Sequence, residues 1–304
     1  MPSEDDTKDA VAIVGLGSMG MGMALSALAA GLPTFGADVS QERMAQFIEQ
    51  GGQKLPAQDQ NLVVSAVAVV VLNAAQTEDV LFGAEGLVPR LNVGAVVLGC
   101  ATVAPEFARR MADKCTEYGV LYLDAPISGG SVKAANGQLS VMASGTPEAF
   151  HAAAPLLDAV SERVFELGDQ VGAGSAMKAV NQLLAGVHIA TMAEALTFGM
   201  TQGVTPDTFL EVISECAGSS WMLENRAPHV VAGDYSPHSQ VNIWPKDLGI
   251  VLEIARSNGF DAPITETALA QYRKAVDAGL GAEDDAAIAK VYAAQAGVRL
   301  PGAV

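Results

Sequence analysis

Short β-branched runs alternate with helix-like stretches through the N-terminal half of the chain. Runs of four to six apolar residues bounded by Gly, Pro or polar residues predict strands. These strands cover residues 10–14, 34–37, 67–72, 95–98 and 120–124, with later strands at 139–143 and 164–167. The β-α-β-α order predicts an α/β fold, with a Rossmann-type doubly wound parallel sheet that helices cover on both faces.

The pattern changes after Gly168, beyond which we predict only helices. The first is long and buried, over about residues 174–202, because Ala, Leu, Met and Val dominate there and proline is absent. Shorter helices follow at 206–215, 246–257, 263–278 and 285–294, separated by Gly and Pro. The prediction therefore has three parts: a flexible acidic tail (1–9), an α/β domain (10–170) and an all-helical domain (171–304) joined to it by the long helix.

Composition and charge limit the function. Of 304 residues, 50% are hydrophobic and 17% are charged, which supplies a sizeable core and excludes an intrinsically disordered chain. The 34 acidic residues outnumber the 17 basic ones, for a net charge of −17. Such a chain repels the phosphates of nucleic acid, so we expect no nucleic-acid partner.

The cysteines and the N-terminus favour a cytoplasmic protein. Three scattered cysteines are too few for a disulfide framework or a four-ligand zinc site, and no metal is expected. The opening residues carry neither the basic nor the apolar region of a secretory signal. The longest nearly continuous apolar run, residues 62–72, is too short to cross a bilayer, so no membrane partner is predicted.

A glycine-rich turn follows the first predicted strand. The sequence Gly15-Leu-Gly17-Ser-Met-Gly20 is G-x-G-x-x-G between a strand and a helix. In this motif the first glycine permits the tight turn, the second lets the backbone approach a pyrophosphate, and the third lets the helix pack closely. The helix N-terminus also offers N–H groups to phosphates. We therefore predict that Gly15, Gly17, Ser18, Met19 and Gly20 bind a dinucleotide, with a purely structural turn as the alternative.

Asp38 follows the second predicted strand, 18 residues after Gly20. A carboxylate at this place can bind the ribose hydroxyls of NAD and would repel the 2′-phosphate of NADP. No Arg stands directly beside it, so NAD is the predicted cofactor. The alternative is a solvated helix N-cap, since Asp38-Val-Ser40 also precedes a predicted helix.

Four motifs along the chain resemble those of the β-hydroxyacid dehydrogenases, a family that includes 3-hydroxyisobutyrate dehydrogenase and tartronate semialdehyde reductase. In chain order they are Gly15–Ala24, Asp124-Ala-Pro-Ile-Ser-Gly-Gly130 with its continuation at 137–145, Gly172-Ala-Gly-Ser-Ala-Met-Lys178-Ala-Val-Asn181, and Lys246-Asp247-Leu248. Other segments, including 181–188, 220–226 and 283–285, are similar to the branch of the family that oxidises L-threonate.

The resemblance assigns the catalytic role to Lys178. Hydride transfer from a secondary alcohol needs a base for the hydroxyl proton, and a lysine can serve when burial and a nearby cation lower its pKa to roughly 7–8. Lys246 is the candidate cation. Lys178 is the only Asp, Glu, Lys or Arg between Asp169 and Glu194, and an ammonium on so apolar a helix is costly outside a cleft. An exposed helix lysine is the alternative.

Two further groups of residues are predicted to hold the substrate. Helical spacing places Asn181 and Gln182 near Lys178, where they would meet substrate hydroxyls. Most relatives have Asn where Gln182 stands, and the alternative is that Gln182 only packs. Ser128, Gly129 and Gly130 form a turn whose N–H groups and hydroxyl suit a substrate carboxylate. An ordinary turn is the alternative there.

Three residues complete the predicted cofactor site. Thr102 stands where the family uses a threonine near the nicotinamide ribose, although the preceding residue here is Ala101 rather than Ser. Asn73 follows a predicted strand at the end where α/β sheets bind ligands, with a strand cap as the alternative. The resemblance implies that Lys246 closes over the cofactor, with Asp247 as its structural partner at a helix start.

The predicted activity is NAD-dependent oxidation of the C2 hydroxyl of a small anionic sugar acid, L-threonate to 2-oxo-tetronate. The alternatives are 3-hydroxyisobutyrate dehydrogenase or tartronate semialdehyde reductase activity. Less favoured are an imine reductase, a group that generally lacks the lysine, and a non-catalytic dinucleotide-binding protein. The resemblance also implies a homodimer or homotetramer. Trp221 and Arg226 fit a surface or dimer contact as well as a wall of the substrate site.

Overall fold

The computed structural model describes residues 10–302, so the predicted tail over residues 1–9 lies outside the described residues. The chain forms two compact units, and it passes from the first to the second between Lys178 and Ala179. The sequence placed a domain boundary at residues 170/171, which stays a prediction.

A six-stranded, entirely parallel sheet forms the centre of the first unit. In spatial order its strands are β3 (Gln53–Lys54), β2 (Thr34–Ala37), β1 (Val11–Val14), β4 (Ala66–Val69), β5 (Val96–Gly99) and β6 (Leu121–Asp124). Every residue of β1, β4 and β5 is buried, as expected for parallel strands covered on both faces. The predicted Rossmann-type sheet is confirmed, and its strand order reverses between β1 and β4, where such sheets bind ligands.

Helices cover both faces of this sheet. The helices of the first unit before the long helix are α1 (Ser18–Ala29), α2 (Gln41–Glu49), α3 (Ala74–Phe82), α4 (Pro105–Thr116), α5 (Gly130–Ala135) and α6 (Pro147–Val160), and α5 packs on α1 and on the strand Leu139–Ala143. Alternate residues of β1 enter two different cores: Ile13 packs in the core that holds Met23 of α1, and Ala12 packs in the core that holds Met111 of α4. The sequence did not predict α3, α5 or α6.

A second, smaller sheet lies in the same unit. It contains β7 (Ile127–Ser128), β8 (Leu139–Ala143) and β9 (Ser161–Glu166), with β8 antiparallel to β7 and parallel to β9. The sequence predicted strands near β8 and β9 but no separate sheet. Only Ala125 and Pro126 separate β6 from β7, which is too short a connection for a parallel crossover, so the chain leaves the large sheet at this point.

The second unit is helical, as predicted. The long helix α7 (Ala173–Thr201) continues into it and is followed by α8 (Pro206–Ser214), α9 (Trp221–Ala232), α10 (Ile243–Ser257), α11 (Pro263–Asp277) and α12 (Ile288–Ala296). The Trp244 ring stacks on Tyr272 with centroids 5.6 Å apart, and the Tyr272 hydroxyl donates to the carbonyl of Gly186 at 2.9 Å. These contacts join α10 and α11 to α7. The sequence did not predict α9, which contains Pro228.

The helix α7 is long and apolar enough to cross a bilayer by length and composition alone, and within residues 10–302 no other helix meets that test. The core helix of a globular unit passes the same test, and Ile189, Met192 and Leu196 of α7 are buried in the core of the second unit. The helix therefore gives only weak evidence for a membrane span.

Candidate active site

The glycine-rich turn has the shape that a dinucleotide requires. A Cβ added to Gly20 would lie 1.8 Å from the carbonyl oxygen of Gly15, so only glycine lets α1 start this close to the turn. A Cβ added to Gly17 would meet no heavy atom of residues 10–302 within 4 Å, so this stretch of backbone is open to a ligand. Gly17 precedes α1 and has no side chain to cap its first N–H groups. The turn therefore fits a pyrophosphate.

Asp38 joins this turn to the loop after β2. Its Oδ2 accepts a hydrogen bond from the Leu16 N–H at 2.6 Å, and its Oδ1 accepts one from the Ser40 N–H at 2.7 Å. The N-cap of α2 is Ser40, whose hydroxyl accepts from the Arg43 N–H, so the N-cap interpretation of Asp38 is wrong. A carboxylate with two such bonds keeps lone pairs for ribose hydroxyls. Its cofactor role stays a prediction.

Arg43 is a basic group at the turn that the sequence prediction missed. Its Nη1 donates to the carbonyl oxygen of Leu16 at 3.0 Å, so Asp38 and Arg43 hold opposite ends of the same residue. The prediction considered only positions adjacent to Asp38. The sequence did contain an indication of this contact, because Arg43 falls in the first turn of the predicted helix after Asp38. A long side chain at that place can reach back toward the ends of the strands.

Asn73 and Thr102 both lie beyond the carboxyl ends of strands of the large sheet. Asn73 is the N-cap of α3, and its side chain accepts from the Gln76 N–H at 2.9 Å. It is therefore a cap, although of a helix rather than of a strand. Thr102 is half-buried three residues after the end of β5. The cofactor roles of both residues stay predictions.

The predicted carboxylate site lies at the junction of β7 and α5. Gly129 has a φ of 131° and Gly130 a φ of 77°, values that favour glycine and that reorient successive N–H groups, as in an anion-binding nest. Ser128 and Gly129 are half-buried and Gly130 is exposed. The turn is thus accessible to a small anion.

Lys178 is brought to this same junction. It is only 8% exposed, and its Nζ donates to the carbonyl oxygen of Ile127 at 2.8 Å. Ile127 immediately precedes Ser128. The first unit therefore places the amine of the predicted catalytic lysine beside the predicted carboxylate site, although the two are about fifty positions apart in sequence. An amine held there can exchange a proton with a hydroxyl next to a bound carboxylate.

A connected polar group occupies the second unit. Asp247 is buried, its Oδ2 accepts from Gln182 Nε2 at 2.5 Å, and its Oδ1 lies 2.7 Å from Lys246 Nζ. Asn181 Nδ2 donates to Gln182 Oε1 at 3.0 Å. The C-terminal Lys-Asp motif thus binds the amide that follows the lysine motif. The substrate roles of Asn181 and Gln182 and the cofactor role of Lys246 stay predictions.

The position of Asp247 differs from the prediction. The helix α10 begins at Ile243, so Asp247 is the fifth residue of the helix rather than a residue at its start. Pro245 is the third residue of α10. A proline is tolerated there because its missing N–H would have no partner within the helix.

Arg226 forms a salt bridge with Asp285 of the same chain. Its guanidinium donates to both oxygens of Asp285, and the Trp244 indole N–H donates to Asp285 Oδ2 at 3.0 Å. The Asp285 side chain is 0% exposed and that of Arg226 is 12% exposed. Trp221, by contrast, is 59% exposed. Arg226 therefore connects α9 to the segment before α12.

Comparisons with known families divide the chain in the same order. Residues 10–168 match the model of the NAD-binding domain of 6-phosphogluconate dehydrogenase. Residues 172–292 match the model described as the NAD-binding domain of NADP-dependent 3-hydroxyisobutyrate dehydrogenase. Together the two matches cover most of the chain, including the glycine-rich turn and both lysine motifs.

Individual relatives agree with these models. An L-threonate dehydrogenase from Escherichia coli O6:H1 is 45% identical over 295 residues, which cover 96% of this chain and 97% of that protein. A crystal structure of 3-hydroxyisobutyrate dehydrogenase from Salmonella typhimurium is 44% identical with a TM-score of 0.88, covering 93% of this chain and 100% of that one. The structure of Psf3 in complex with NADP+ and 2-OPP is 25% identical with a TM-score of 0.83, covering 93% and 99%.

Proposed function

The chain belongs to the β-hydroxyacid dehydrogenase family, the 3-hydroxyisobutyrate dehydrogenase-like enzymes, and on that basis we propose that it uses NAD to oxidise the C2 hydroxyl of a small sugar acid. The proposed substrate is L-threonate and the product is 2-oxo-tetronate. Membership of the family makes the chain an NAD(P)-dependent oxidoreductase that acts on the CH–OH group of a hydroxyacid. The specific substrate (L-threonate), the preference for NAD and the role of Lys178 as the proton carrier are what we propose beyond family membership.

The choice of L-threonate is supported by the E. coli relative of that name, at 45% identity over nearly the whole chain. The competing substrate is 3-hydroxyisobutyrate, because a structure described as that dehydrogenase is 44% identical. Tartronate semialdehyde is a third candidate. Lys178 argues against an imine reductase and against a non-catalytic protein, because neither needs an amine beside a carboxylate site.

One contact carries the mechanism: the hydrogen bond from Lys178 Nζ to the carbonyl of Ile127, beside Ser128–Gly130. In oxidation, the C2–H bond breaks and the hydrogen leaves with both bonding electrons as hydride. The hydroxyl O–H bond breaks as well, and a C=O bond forms at C2. When bound, NAD+ would supply the hydride acceptor. Lys178, as the neutral amine, takes the hydroxyl proton and later releases it to solvent. The Ile127 carbonyl orients the amine for that transfer.

The remaining roles follow the family resemblance. Ser128, Gly129 and Gly130 hold the substrate carboxylate, and Asn181 and Gln182 meet its hydroxyls. Lys246, Thr102 and Asn73 serve the cofactor. Polar partners for each hydroxyl would discriminate against deoxy analogues, because a missing hydroxyl leaves buried groups unpaired. We further propose that the enzyme is a cytoplasmic homodimer or homotetramer.

NAD is proposed over NADP because the Asp38 carboxylate would repel a 2′-phosphate. Arg43 works in the opposite direction, since its guanidinium lies at the same turn and guanidinium groups bind phosphate well. The Psf3 relative was solved in complex with NADP+, so NADP is the competing cofactor. Asp38 directly follows β2, whereas Arg43 lies five residues further along the chain. We propose that the repulsion from Asp38 outweighs the attraction of Arg43 for a 2′-phosphate.

A substrate panel with two lysine variants tests the function. NADH formation is measured with L-threonate, its C2 and C3 stereoisomers, and 3-hydroxyisobutyrate, and tartronate semialdehyde is tested in the reverse direction. We expect L-threonate to give the highest kcat/KM. Lys178→Ala should lower kcat by about 10²–10⁴-fold, the usual contribution of general acid–base catalysis. Lys178→Arg, which keeps the charge but cannot release a proton near neutral pH, should be similarly inactive.

The same assay tests the cofactor. Wild type should prefer NAD in kcat/KM, and Asp38→Asn should narrow that preference, whereas Asp158→Asn, an exposed aspartate on α6, should leave it unchanged.

Absence of activity on every four-carbon sugar acid would exclude the threonate proposal. Full activity of Lys178→Ala would exclude the mechanism, and a wild-type preference for NADP would exclude the role of Asp38.

A further inference from the structure

Asp124 is a buried carboxylate to which the mechanism above gives no role. It ends β6, opens the Asp124–Gly130 motif and is 1% exposed. Its Oδ2 accepts from the Gly172 N–H at 3.0 Å and from the Ser175 N–H at 2.8 Å. Its Oδ1 accepts from the Ser175 hydroxyl at 2.6 Å, and the Ser144 hydroxyl lies 3.4 Å from Oδ2.

These bonds satisfy the beginning of α7. The first N–H groups of a helix have no partner within it and need acceptors from elsewhere. Asp124 accepts from two of these groups at the start of α7, and the Ser144 hydroxyl accepts a third, from Gly174 at 3.0 Å. A negative charge at this end also interacts favourably with the helix dipole. Asp124 thus acts as a helix cap that comes from a distant strand.

The start of α7 has little freedom to shift. A Cβ added to Gly174 would lie 2.4 Å from the carbonyl oxygen of Met142 and 2.7 Å from that of Asp124. The helix backbone is therefore in close contact with the backbones of β6 and β8. Any change in the cap must move the helix away from these strands, since there is no room to move toward them.

Lys178 lies one turn after Gly174 on the same helix. Its Nζ bonds to Ile127, three residues after Asp124. The short segment 124–127 therefore contacts α7 twice, with a carboxylate at the first turn and with a carbonyl at the lysine. Because the first contact sets the position of the helix, it also sets where the lysine amine meets the second.

We propose that Asp124 is a positioning residue for the proposed catalytic lysine: its carboxylate fixes the first turn of α7 and so holds Lys178 against Ile127, beside Ser128–Gly130. This inference rests on the proposed function of Lys178. Asp124 acts through the helix and does not touch the substrate.

The cap is strongest when residue 124 is a carboxylate. Burial raises the pKa of Asp124 above its usual value, and the hydrogen bonds from Ser175, Gly172 and Ser144 oppose this rise without cancelling it. Both oxygens accept, and every partner at the start of α7 is a donor. Asn has the same shape, but it carries no negative charge, and its N–H₂ group would face either the two backbone N–H donors at Oδ2 or the Ser175 hydroxyl at Oδ1, which would have to turn to accept. Asp124→Asn therefore removes the charge at the helix N-terminus and weakens the cap with little change in volume.

The first measurement needs no substrate. Amide hydrogen exchange by mass spectrometry is compared for wild type, Asp124→Asn and the control Asp158→Asn. In Asp124→Asn the peptides covering residues 172–178 should exchange about tenfold faster, because a weakened cap lowers the free energy of local opening. Peptides covering residues 189–196, in the core of the second unit, should not change, and Asp158→Asn should match wild type throughout.

The second measurement separates positioning from simple destabilisation. Asp124→Asn should lower kcat by about 10–100-fold, since small misplacements of a catalytic group can cost that much. The KM for NAD should stay within about twofold, because the glycine-rich turn is not part of the cap. If Asp124→Asn does not fold, Ser144→Ala is used instead; it removes the Gly174 contact and the longer contact to Asp124 Oδ2, and it should lower kcat by about threefold with an unchanged KM for NAD.

The outcomes are distinguishable. Faster exchange at residues 172–178 with wild-type kcat would overturn the proposal, because the cap would then be structural only. Unchanged exchange would overturn it as well. If Lys178→Ala is as active as wild type, the proposed function fails whatever Asp124→Asn does. If Lys178→Ala is inactive and Asp124→Asn is fully active, only the positioning role fails.

Discussion

The two units each bury a carboxylate completely, and they hold it in different ways. Asp124 in the first unit is bound by backbone N–H groups and serine hydroxyls, all of them neutral. Asp285 in the second unit is bound by the guanidinium of Arg226 and the indole N–H of Trp244. Burial raises the pKa of both carboxyl groups, and in each case the hydrogen-bond donors oppose that shift.

The difference determines what each carboxylate can stabilise. Asp285 has a counter-charge, so the pair could be replaced as a whole by apolar side chains. The partners of Asp124 include backbone N–H groups of α7, which remain when a side chain is replaced by any residue other than proline. A cap of this kind fixes a helix relative to a strand, whereas the Arg226–Asp285 pair connects α9 to the segment before α12 through two side chains that can be replaced together. The helix α7, which carries Lys178, is held by a cap of this kind, from Asp124.

The largest expected effect on stability is at the charged pair. Asp285→Ala leaves Arg226 mostly buried without its counter-charge and the Trp244 N–H without its acceptor. The free energy of unfolding should fall by about 3–5 kcal/mol, as for other broken buried pairs. Urea denaturation measures the change, with Asp261→Ala, an exposed loop residue, expected to stay within about 0.5 kcal/mol of wild type. A loss no larger than that of the control would contradict the comparison.

A paired replacement sharpens the distinction. Arg226→Met with Asp285→Leu removes both charges, so the double variant should recover at least about 2 kcal/mol of the unfolding free energy lost in Asp285→Ala. The recovery is incomplete because the Trp244 N–H still lacks its acceptor. A double-mutant cycle by urea denaturation measures the coupling. If the losses of the single variants simply add, the pair is not coupled and the contrast with Asp124 fails.

The smallest expected effect is the loss of one neutral donor at the cap. Ser175→Ala removes the hydroxyl bond to Asp124 Oδ1 but keeps the Ser175 N–H bond to Oδ2. The unfolding free energy should fall by about 1 kcal/mol, the usual net contribution of a neutral hydrogen bond. Thermal or urea denaturation measures it against Ser257→Ala, at the exposed end of α10. A loss comparable to that of Asp285→Ala would show that neutral and charged donors hold their carboxylates equally strongly.

Much of the fold followed from local pattern. Buried β-branched runs predicted the large parallel sheet because strands covered on both faces are apolar throughout. The glycine-rich turn was recognisable because the spacing of its three glycines between a strand and a helix is a local pattern. The small sheet was not predicted, since β7 has only two residues and pairs antiparallel with β8. The N-cap interpretation of Asp38 failed because Ser40 is better placed to cap α2.

The sequence by itself determined most strands of the large sheet, the long helix, the glycine-rich turn, and which lysine stands alone on an apolar helix. Only the tertiary structure decided what the buried polar groups bind. Asp124 meets Ser175 across 51 positions, Arg226 meets Asp285 across 59, and Gln182 meets Asp247 across 65. Periodicity reports on neighbours a few residues apart, whereas these partners are set by how strands and helices pack. A buried charge must find a partner, but the chain pattern does not say which one.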